Sequence, residues 1–209
     1  MKVTLLIAGL SLAGLTACGG SSTTSTPPPV VIQTLSTIRL ASSSVALSAG
    51  ATSTLTPEAL DATGKVIAGA TGYTFASSAS NVAESRGGGV LLGIRAGTST
   101  ITVSLTRDGV TATSTATVTV TGALPATATV AAGTDRTFAP PSIVVARNAN
   151  VTFAIGSLTH NVTFRGATGA PAGIANTSSA NVDRVFDTAG DFSYDCTLHA
   201  GMTGTVVVR

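Results

Sequence analysis

Apolar side chains alternate with threonine, serine and other small polar residues along most of the chain. The period of two is clear from Ile38 to Leu40, from Ile101 to Leu105 and from Ala112 to Val120. Side chains that alternate in this way point to opposite faces of a strand, so each run predicts a half-buried β-strand. Long amphipathic helical patterns are missing. The pattern therefore predicts an all-β protein.

Turn sequences separate the predicted strands of the N-terminal half. Ala49-Gly50, Asp61–Gly64, Gly87–Gly89 and Asp108-Gly109 all contain glycine, which accepts the positive φ of tight turns. Short strands joined by such turns are expected to pack as an antiparallel sandwich.

This half resembles bacterial Ig-like domains of group 2 between residues 35 and 121. The matching segments are Val45–Gly50, Asp61–Val66 and Gly93–Val103, and Phe75 takes the place of the family's usual core tryptophan. The resemblance implies an Ig-like β-sandwich that serves as a spacer or contacts a partner at the cell surface.

A second β-domain is predicted from residue 127 to residue 209. Runs of apolar residues separated by polar and glycine-rich segments predict its strands. These strands are expected at Ile143–Val145, Val151–Ile155, Val162–Phe164, Val185–Phe186, Phe192–Tyr194 and Thr205–Val208.

The sequence of residues 1–17 predicts a lipoprotein signal peptide. Lys2 precedes an apolar run from Val3 to Ala17, which as a helix reaches only about 22 Å, less than the roughly 30 Å of a bilayer's hydrocarbon core. The run ends in Leu15-Thr16-Ala17-Cys18-Gly19, which resembles the bacterial lipobox, so Cys18 is expected to carry the lipid anchor. The protein is therefore expected to be exported and attached to the cell envelope. Glycine rather than aspartate after Cys18 favours the outer membrane if the host has two membranes.

Residues 18–34 predict a tether between the lipid and the first domain. They are rich in glycine, serine and threonine and include the consecutive prolines Pro27–Pro29. Such a segment cannot bury enough apolar surface to fold alone, and its prolines stiffen it into an extended spacer.

The charge balance argues against a nucleic-acid partner. Without the signal peptide and its Lys2, ten basic residues stand against nine acidic ones, which leaves a net charge of +1. No cluster of lysine and arginine offers the contacts that bind phosphate backbones.

Imidazole and sulfur side chains are rare in this chain. Apart from the initiator methionine and the lipid-bearing cysteine, only His160, Cys196, His199 and Met202 remain. Two imidazoles, one thiolate and a weak thioether are the donors of electron-transfer copper sites. The sequence therefore predicts that these four residues bind one copper ion, which cycles between Cu(I) and Cu(II).

Two further arguments favour copper. If Cys18 is acylated, Cys196 has no intramolecular disulfide partner, and metal ligation would protect its thiol outside the cytoplasm. Zinc also accepts two histidines and a thiolate, but a thioether is a poor zinc ligand.

The segments Thr159–Val162 and Gly190–Gly204 resemble plastocyanin-like cupredoxins. Within the second segment, the Cys-x-x-His-x-x-Met spacing is similar to the short ligand loop of amicyanin. The resemblance implies that residues 127–209 form a cupredoxin Greek-key β-sandwich with a type 1, or blue, copper site.

The same resemblance assigns further roles. Asn161 is expected to tie its strand to the ligand loop through Thr197, with its amide region near the Cys196 sulfur. Unidentified redox proteins are expected to dock near His199. The chain would then carry one electron at a time between them.

An enzyme is not expected. Multicopper oxidases and copper nitrite reductases need further histidines for their catalytic coppers, whereas this chain has two. No Gly-x-Ser-x-Gly motif or pair of carboxylates indicates a hydrolase. Two other interpretations stay open: a copper-buffering protein, and a cell-surface interaction protein that uses its Ig-like domain.

Overall fold

The computed structural model describes residues 33–209. This part of the chain contains eighteen β-strands and no helix. The prediction of an all-β protein is confirmed for these residues. The predicted signal peptide, the predicted lipidation site Cys18 and all but the last two residues of the predicted tether lie outside them. Within the described part, no helix could cross a bilayer.

Nine strands belong to the N-terminal half. They are β1 (Thr37–Leu40), β2 (Ser44–Ser48), β3 (Thr52–Thr54), β4 (Pro57–Leu60), β5 (Thr74–Ser77), β6 (Ala83–Ser85), β7 (Val90–Gly93), β8 (Arg95–Arg107) and β9 (Val110–Ala123). They form one sheet in the order β2-β9-β8-β5, a second in the order β3-β7-β6 and a ribbon of β1 and β4. Strand β2 is parallel to β9, and the other pairs are antiparallel.

The hairpin of β8 and β9 turns where the sequence predicts it. Arg107 pairs with Val110, and the two residues between them, Asp108 and Gly109, have φ values of 52° and 78°. Positive φ at both turn positions matches the right-handed twist of the flanking strands. Alternate residues of these strands, including Ile101, Val103 and Val118, are fully buried in one hydrophobic core.

The other nine strands belong to the C-terminal half. They are β10 (Thr127–Ala132), β11 (Phe138–Ala139), β12 (Ser142–Val145), β13 (Ala149–Ile155), β14 (His160–Phe164), β15 (Ile174–Thr177), β16 (Ala180–Phe186), β17 (Gly190–Asp195) and β18 (Thr203–Val208). One sheet has the order β11-β10-β13-β16, and the other has the order β12-β18-β17-β14-β15. The pairs β10 with β13 and β12 with β18 are parallel.

Aromatic side chains fill the core that these two sheets share. The Tyr194 ring makes edge-on contacts with Phe138, Phe153 and Phe164, with centroid separations of 4.8, 5.4 and 5.8 Å. Gly204 pairs with Tyr194 across β17 and β18, and a Cβ at Gly204 would lie only 2.4 Å from the tyrosine ring and hydroxyl. Burial raises the pKa of Tyr194. The strand that leads to Cys196 is thus anchored in the core two residues earlier.

A network of ion pairs joins the two halves. The Arg209 side chain, only 17% exposed, donates to both carboxylate oxygens of Glu84 at 2.5 and 3.1 Å and lies 2.8 Å from Asp191. Arg86 also pairs with Asp191. The hydrogen bond with Glu84 is the largest cause that raises the pKa of Arg209. Asp191 is the second residue of β17 and Cys196 follows its last, so this contact lies at the opposite end of the strand from the predicted ligands.

Replacing Arg209 tests whether this network stabilises the fold. We expect Arg209→Ala to lower the free energy of unfolding by about 1 to 2 kcal/mol, because the partly buried Glu84 loses hydrogen bonds to both of its carboxylate oxygens and Asp191 keeps only Arg86. Urea unfolding followed by circular dichroism measures the loss. The matched control is Arg39→Ala, which breaks an exposed pair with Glu58 and should cost no more than about 0.5 kcal/mol. Equal losses in both variants would contradict the role of the network.

Candidate metal centre

Strands β14 and β17 bring the predicted ligands together. His160 is the first residue of β14, and Cys196 directly follows β17. The two strands are hydrogen-bonded neighbours, with Thr163 opposite Asp195. The ligand atoms of His160, Cys196 and His199 all lie within 4.8 Å of one another. Residues that are up to 39 positions apart in the chain thus share one small site at the end of the sheet.

The loop from Cys196 to Met202 is closed by its own backbone. The N–H of His199 donates to the Cys196 carbonyl and that of Met202 to the His199 carbonyl, both at 3.2 Å, while the Cys196 N–H donates to the Met202 carbonyl at 3.0 Å. Gly201 has a φ of 80° in the second turn. Two tight turns therefore return the chain to β18 and place three sulfur or imidazole side chains on one short loop.

Met202 lies beside the other predicted ligands. Its side chain is buried, and it lines the same surface depression as Cys196 and His199. A buried thioether next to a thiolate and two imidazoles completes the donor set that suits copper rather than zinc.

His160 is held in the tautomer that a metal ligand needs. The ring is fully buried, and its Nε2 lies 3.0 Å from the Gly133 carbonyl, which can only accept a hydrogen bond. Nε2 therefore carries the proton, and Nδ1 keeps its lone pair. Within residues 33–209 this buried Nδ1 has no hydrogen-bond partner. An unpartnered buried nitrogen beside a thiol and a second imidazole fits a bound metal ion.

The Cys196 side chain is buried, and its sulfur contacts two polar groups. The backbone N–H of Asn161 points at Sγ from 3.5 Å, and His199 Nδ1 lies 3.4 Å from the same sulfur. Hydrogen bonds to sulfur stabilise its thiolate form and tune the redox properties of a metal bound to it.

Asn161 links β14 to the ligand loop. Its side-chain oxygen accepts the backbone N–H of Thr197 at 2.8 Å, and its Nδ2 donates to the Thr197 hydroxyl at 2.7 Å. These contacts match the role that the sequence resemblance implies for both residues. Thr197, which follows Cys196, is thereby fixed to Asn161, which follows His160.

His199 is the ligand nearest to solvent among the three clustered residues. It is partly exposed, whereas His160 and Cys196 are buried. Desolvation lowers the pKa of His199, and the neighbouring His160 and Arg136 lower it further. Both effects favour the neutral imidazole, which is the form that binds metals.

Asp195 lies between the ligand loop and a surface arginine. Its carboxylate is buried, and Arg165 Nε lies 2.7 Å from Oδ1. The contact is an ion pair, and Oδ1 has no hydrogen-bond partner among residues 33–209. This pair neutralises a carboxylate directly before Cys196, which limits the negative charge near the sulfur.

Sequence reasoning missed two contributors to the site, Gly133 and Asn176. Gly133 acts through its backbone carbonyl. Every residue has this group, so the residue type at this position does not predict the contact. Asn176 contacts Asn161 from β15, a strand that the apolar pattern did not predict. An asparagine just before the Thr-Ser-Ser turn sequence was the one available hint.

No protein-family model and no curated protein matches this chain. Solved structures similar to it include the copper-containing nitrite reductase of Thermus scotoductus SA-01, with 20% identity and a TM-score of 0.36 over 42% of this chain and 23% of that one. A point mutant of amicyanin in its reduced Cu(I) form at pH 4 has 25% identity and a TM-score of 0.35 over 40% of this chain and 82% of the other. A purple cupredoxin from Nitrosopumilus maritimus has 20% identity and a TM-score of 0.33 over 39% of this chain and 99% of the other.

The similarity thus spans about a quarter of the nitrite reductase chain. All three TM-scores lie below 0.5, so the metal site is inferred from this chain's own strands, donors and hydrogen bonds. Two packed mixed sheets carry one histidine at the start of β14 and a Cys-x-x-His-x-x-Met loop between β17 and β18. The C-terminal half is a cupredoxin-like β-sandwich. Its His160, Cys196, His199 and Met202 form a donor set for a single copper ion.

Gly201 offers a test of the loop geometry. A Cβ at this position would meet no neighbouring atom, so any cost of Gly201→Ala comes from the positive φ alone. We expect a loss of about 1 kcal/mol in the free energy of unfolding of the metal-free protein. Gly201→Asn should lose less, because asparagine tolerates this conformation better. Thermal unfolding of both variants measures the difference, and equal losses would mean that the backbone is not held at this φ.

Proposed function

We propose that this protein is a one-electron carrier with a mononuclear type 1 copper site. The observation that carries the proposal is the donor set, in which the buried His160 Nδ1 has no hydrogen-bond partner in the described part of the chain and lies beside Cys196 and His199. A bound copper ion supplies one-electron chemistry by changing between Cu(I) and Cu(II).

Three sets of hydrogen bonds would keep the ligands in place whether or not the metal is oxidised. The Gly133 carbonyl orients His160, the Asn161 amide holds Thr197, and the backbone of the ligand loop closes on itself. Ligands fixed by surrounding contacts move little when the metal charge changes, which keeps the reorganisation energy low. This rigidity supports fast electron exchange rather than catalysis at the metal, so we propose that the chain is not itself an enzyme.

Electrons would enter and leave through His199. This residue is the partly exposed ligand, and the adjacent Leu198 is 45% exposed. An apolar side chain beside an accessible ligand suits brief contacts with redox proteins, which bury a small area and separate quickly. We therefore propose that unidentified redox partners dock on the face around His199 and Leu198.

The location of the protein is proposed from its N-terminal sequence. A signal peptide and a lipidated Cys18 would place it outside the cytoplasm on the cell envelope, with the outer membrane favoured over the inner one.

The Ig-like half would serve as a spacer or contact another surface protein. Its ion pairs with Arg209 and Asp191 lie at the end of β17 remote from the ligand loop, so that contact leaves the His199 face uncovered.

Copper titration tests the proposed function directly. We expect the purified protein to bind one equivalent of Cu(II), to develop an intense visible absorption band from the thiolate and to give reversible voltammetry. Cys196→Ser should abolish the band, whereas Ser193→Ala, on the exposed side of β17, should keep it. Copper that binds but cannot cycle would support a copper-buffering protein instead. A protein that stays colourless and binds no copper would support an interaction protein.

Electron self-exchange tests the docking face without a known partner. Two copies must bring their His199 faces together, so a negative charge on Leu198 should repel the second copy and slow exchange. For Leu198→Glu we expect a roughly three- to tenfold lower rate at low salt. NMR line broadening in mixtures of oxidised and reduced protein measures it. Val185→Glu, at a 57% exposed position on β16, is the matched control, and equal slowing in both variants would contradict the assignment of the face.

A further inference from the structure

Asn176 contacts the amide of Asn161 from the edge strand β15. Its side-chain oxygen lies 3.0 Å from Asn161 Nδ2. The orientation of the Asn161 amide is settled independently, because the backbone N–H of Thr197 donates to Asn161 Oδ1. Nδ2 is therefore the donor end, and its two protons go to Asn176 Oδ1 and Thr197 Oγ1.

A β-bulge brings Asn176 to this position. Between two regular pairs of the β14–β15 ladder, the single residue Asn161 faces two residues of β15, Ala175 and Asn176. Bulges re-aim a side chain and occur often beside functional sites. The Thr177 hydroxyl donates to the Ala175 carbonyl at 2.9 Å and so helps to hold the bulged backbone.

Asn161 contacts the metal ligand Cys196 through its backbone and Asn176 through its side chain. Its N–H points at the Cys196 sulfur from 3.5 Å, and the residue itself is buried. With both Nδ2 protons and Oδ1 engaged, the Asn161 side chain has no freedom to turn, and this restrains the backbone N–H of the same residue.

We infer that Asn176 is a positioning residue of the metal centre, which holds Asn161 so that the Asn161 N–H stays on the Cys196 sulfur. The inference rests on the proposed function. An N–H donated to the thiolate stabilises negative charge on sulfur, and that charge is greater when the bound metal is Cu(I) than when it is Cu(II). Asn176 thus favours the reduced site through Asn161, since its side chain makes no hydrogen bond to a ligand side chain within residues 33–209.

The first test compares Asn176→Ala with Asn176→Asp. At a fixed ambient potential, loss of the acceptor in Asn176→Ala should lower the ratio of Cu(I) to Cu(II) roughly threefold, as expected for one weakened hydrogen bond. The thiolate absorption band should shift in the same variant. Asn176→Asp keeps an acceptor oxygen at the same place, so its band should stay at the wild-type position. Asn181→Ala, an exposed position on the edge strand β16, is the matched control and should change neither quantity.

The second test needs no copper. In the metal-free protein, NMR should show the Asn161 side-chain amide protons as hydrogen-bonded and slow to exchange with water. Asn176→Ala should shift these signals and speed their exchange, and Asn176→Asp should restore them.

The outcomes separate this inference from the proposed function. If the wild-type protein binds no copper, the proposed function fails, and the Asn161 signals still decide whether Asn176 positions that residue. If Asn176→Ala lowers the thermal midpoint but leaves the Cu(I) to Cu(II) ratio and the band unchanged, Asn176 is a structural residue only and the inference is wrong. Unchanged Asn161 signals in Asn176→Ala would overturn it as well.

Discussion

The hydrogen bonds between Asn161 and the ligand loop are the constraint on which the metal centre depends. His160 and Cys196 come from neighbouring strands, but sheet pairing and the loop's own hydrogen bonds do not fix the loop after β17 against the start of β14. The Asn161 amide removes that freedom because it accepts the Thr197 N–H and donates to the Thr197 hydroxyl. The same residue directs its backbone N–H at the Cys196 sulfur. One asparagine thus connects strand geometry to the chemistry of the thiolate.

The site shows how the packing and hydrogen bonds of a β-sandwich bring soft ligands together. The aromatic core around Tyr194 anchors β17, and the Gly133 carbonyl sets the His160 tautomer. Each contact uses a backbone group or a core side chain that the fold contains in any case. It therefore adds little to the free-energy cost of folding. The result is a set of donors already close together, which is what a carrier with low reorganisation requires.

Much of this could be predicted from local sequence. Alternating apolar residues determine strands such as β8 and β9, and Asp108-Gly109 determines the turn between them, because both patterns reflect neighbouring residues alone. The strand from Phe192 to Tyr194 was also predicted, within the longer β17 of the structure. Strand β15 was missed, because Ile174–Thr177 carries one buried apolar side chain and a bulge, and neither produces a period of two.

Local sequence patterns are enough to establish the class of fold and the candidate donors, because the only imidazole and sulfur side chains of residues 33–209 belong to two histidines, one cysteine and one methionine. Contacts between segments that are distant in the chain form only in the tertiary structure. The approach of His160 to Cys196, the carbonyl of Gly133 opposite His160 Nε2, the contact of Asn176 with Asn161 and the ion pairs of Arg209 all depend on strand order and register. Such contacts join residues that are 15 to 125 positions apart, so no local pattern encodes them.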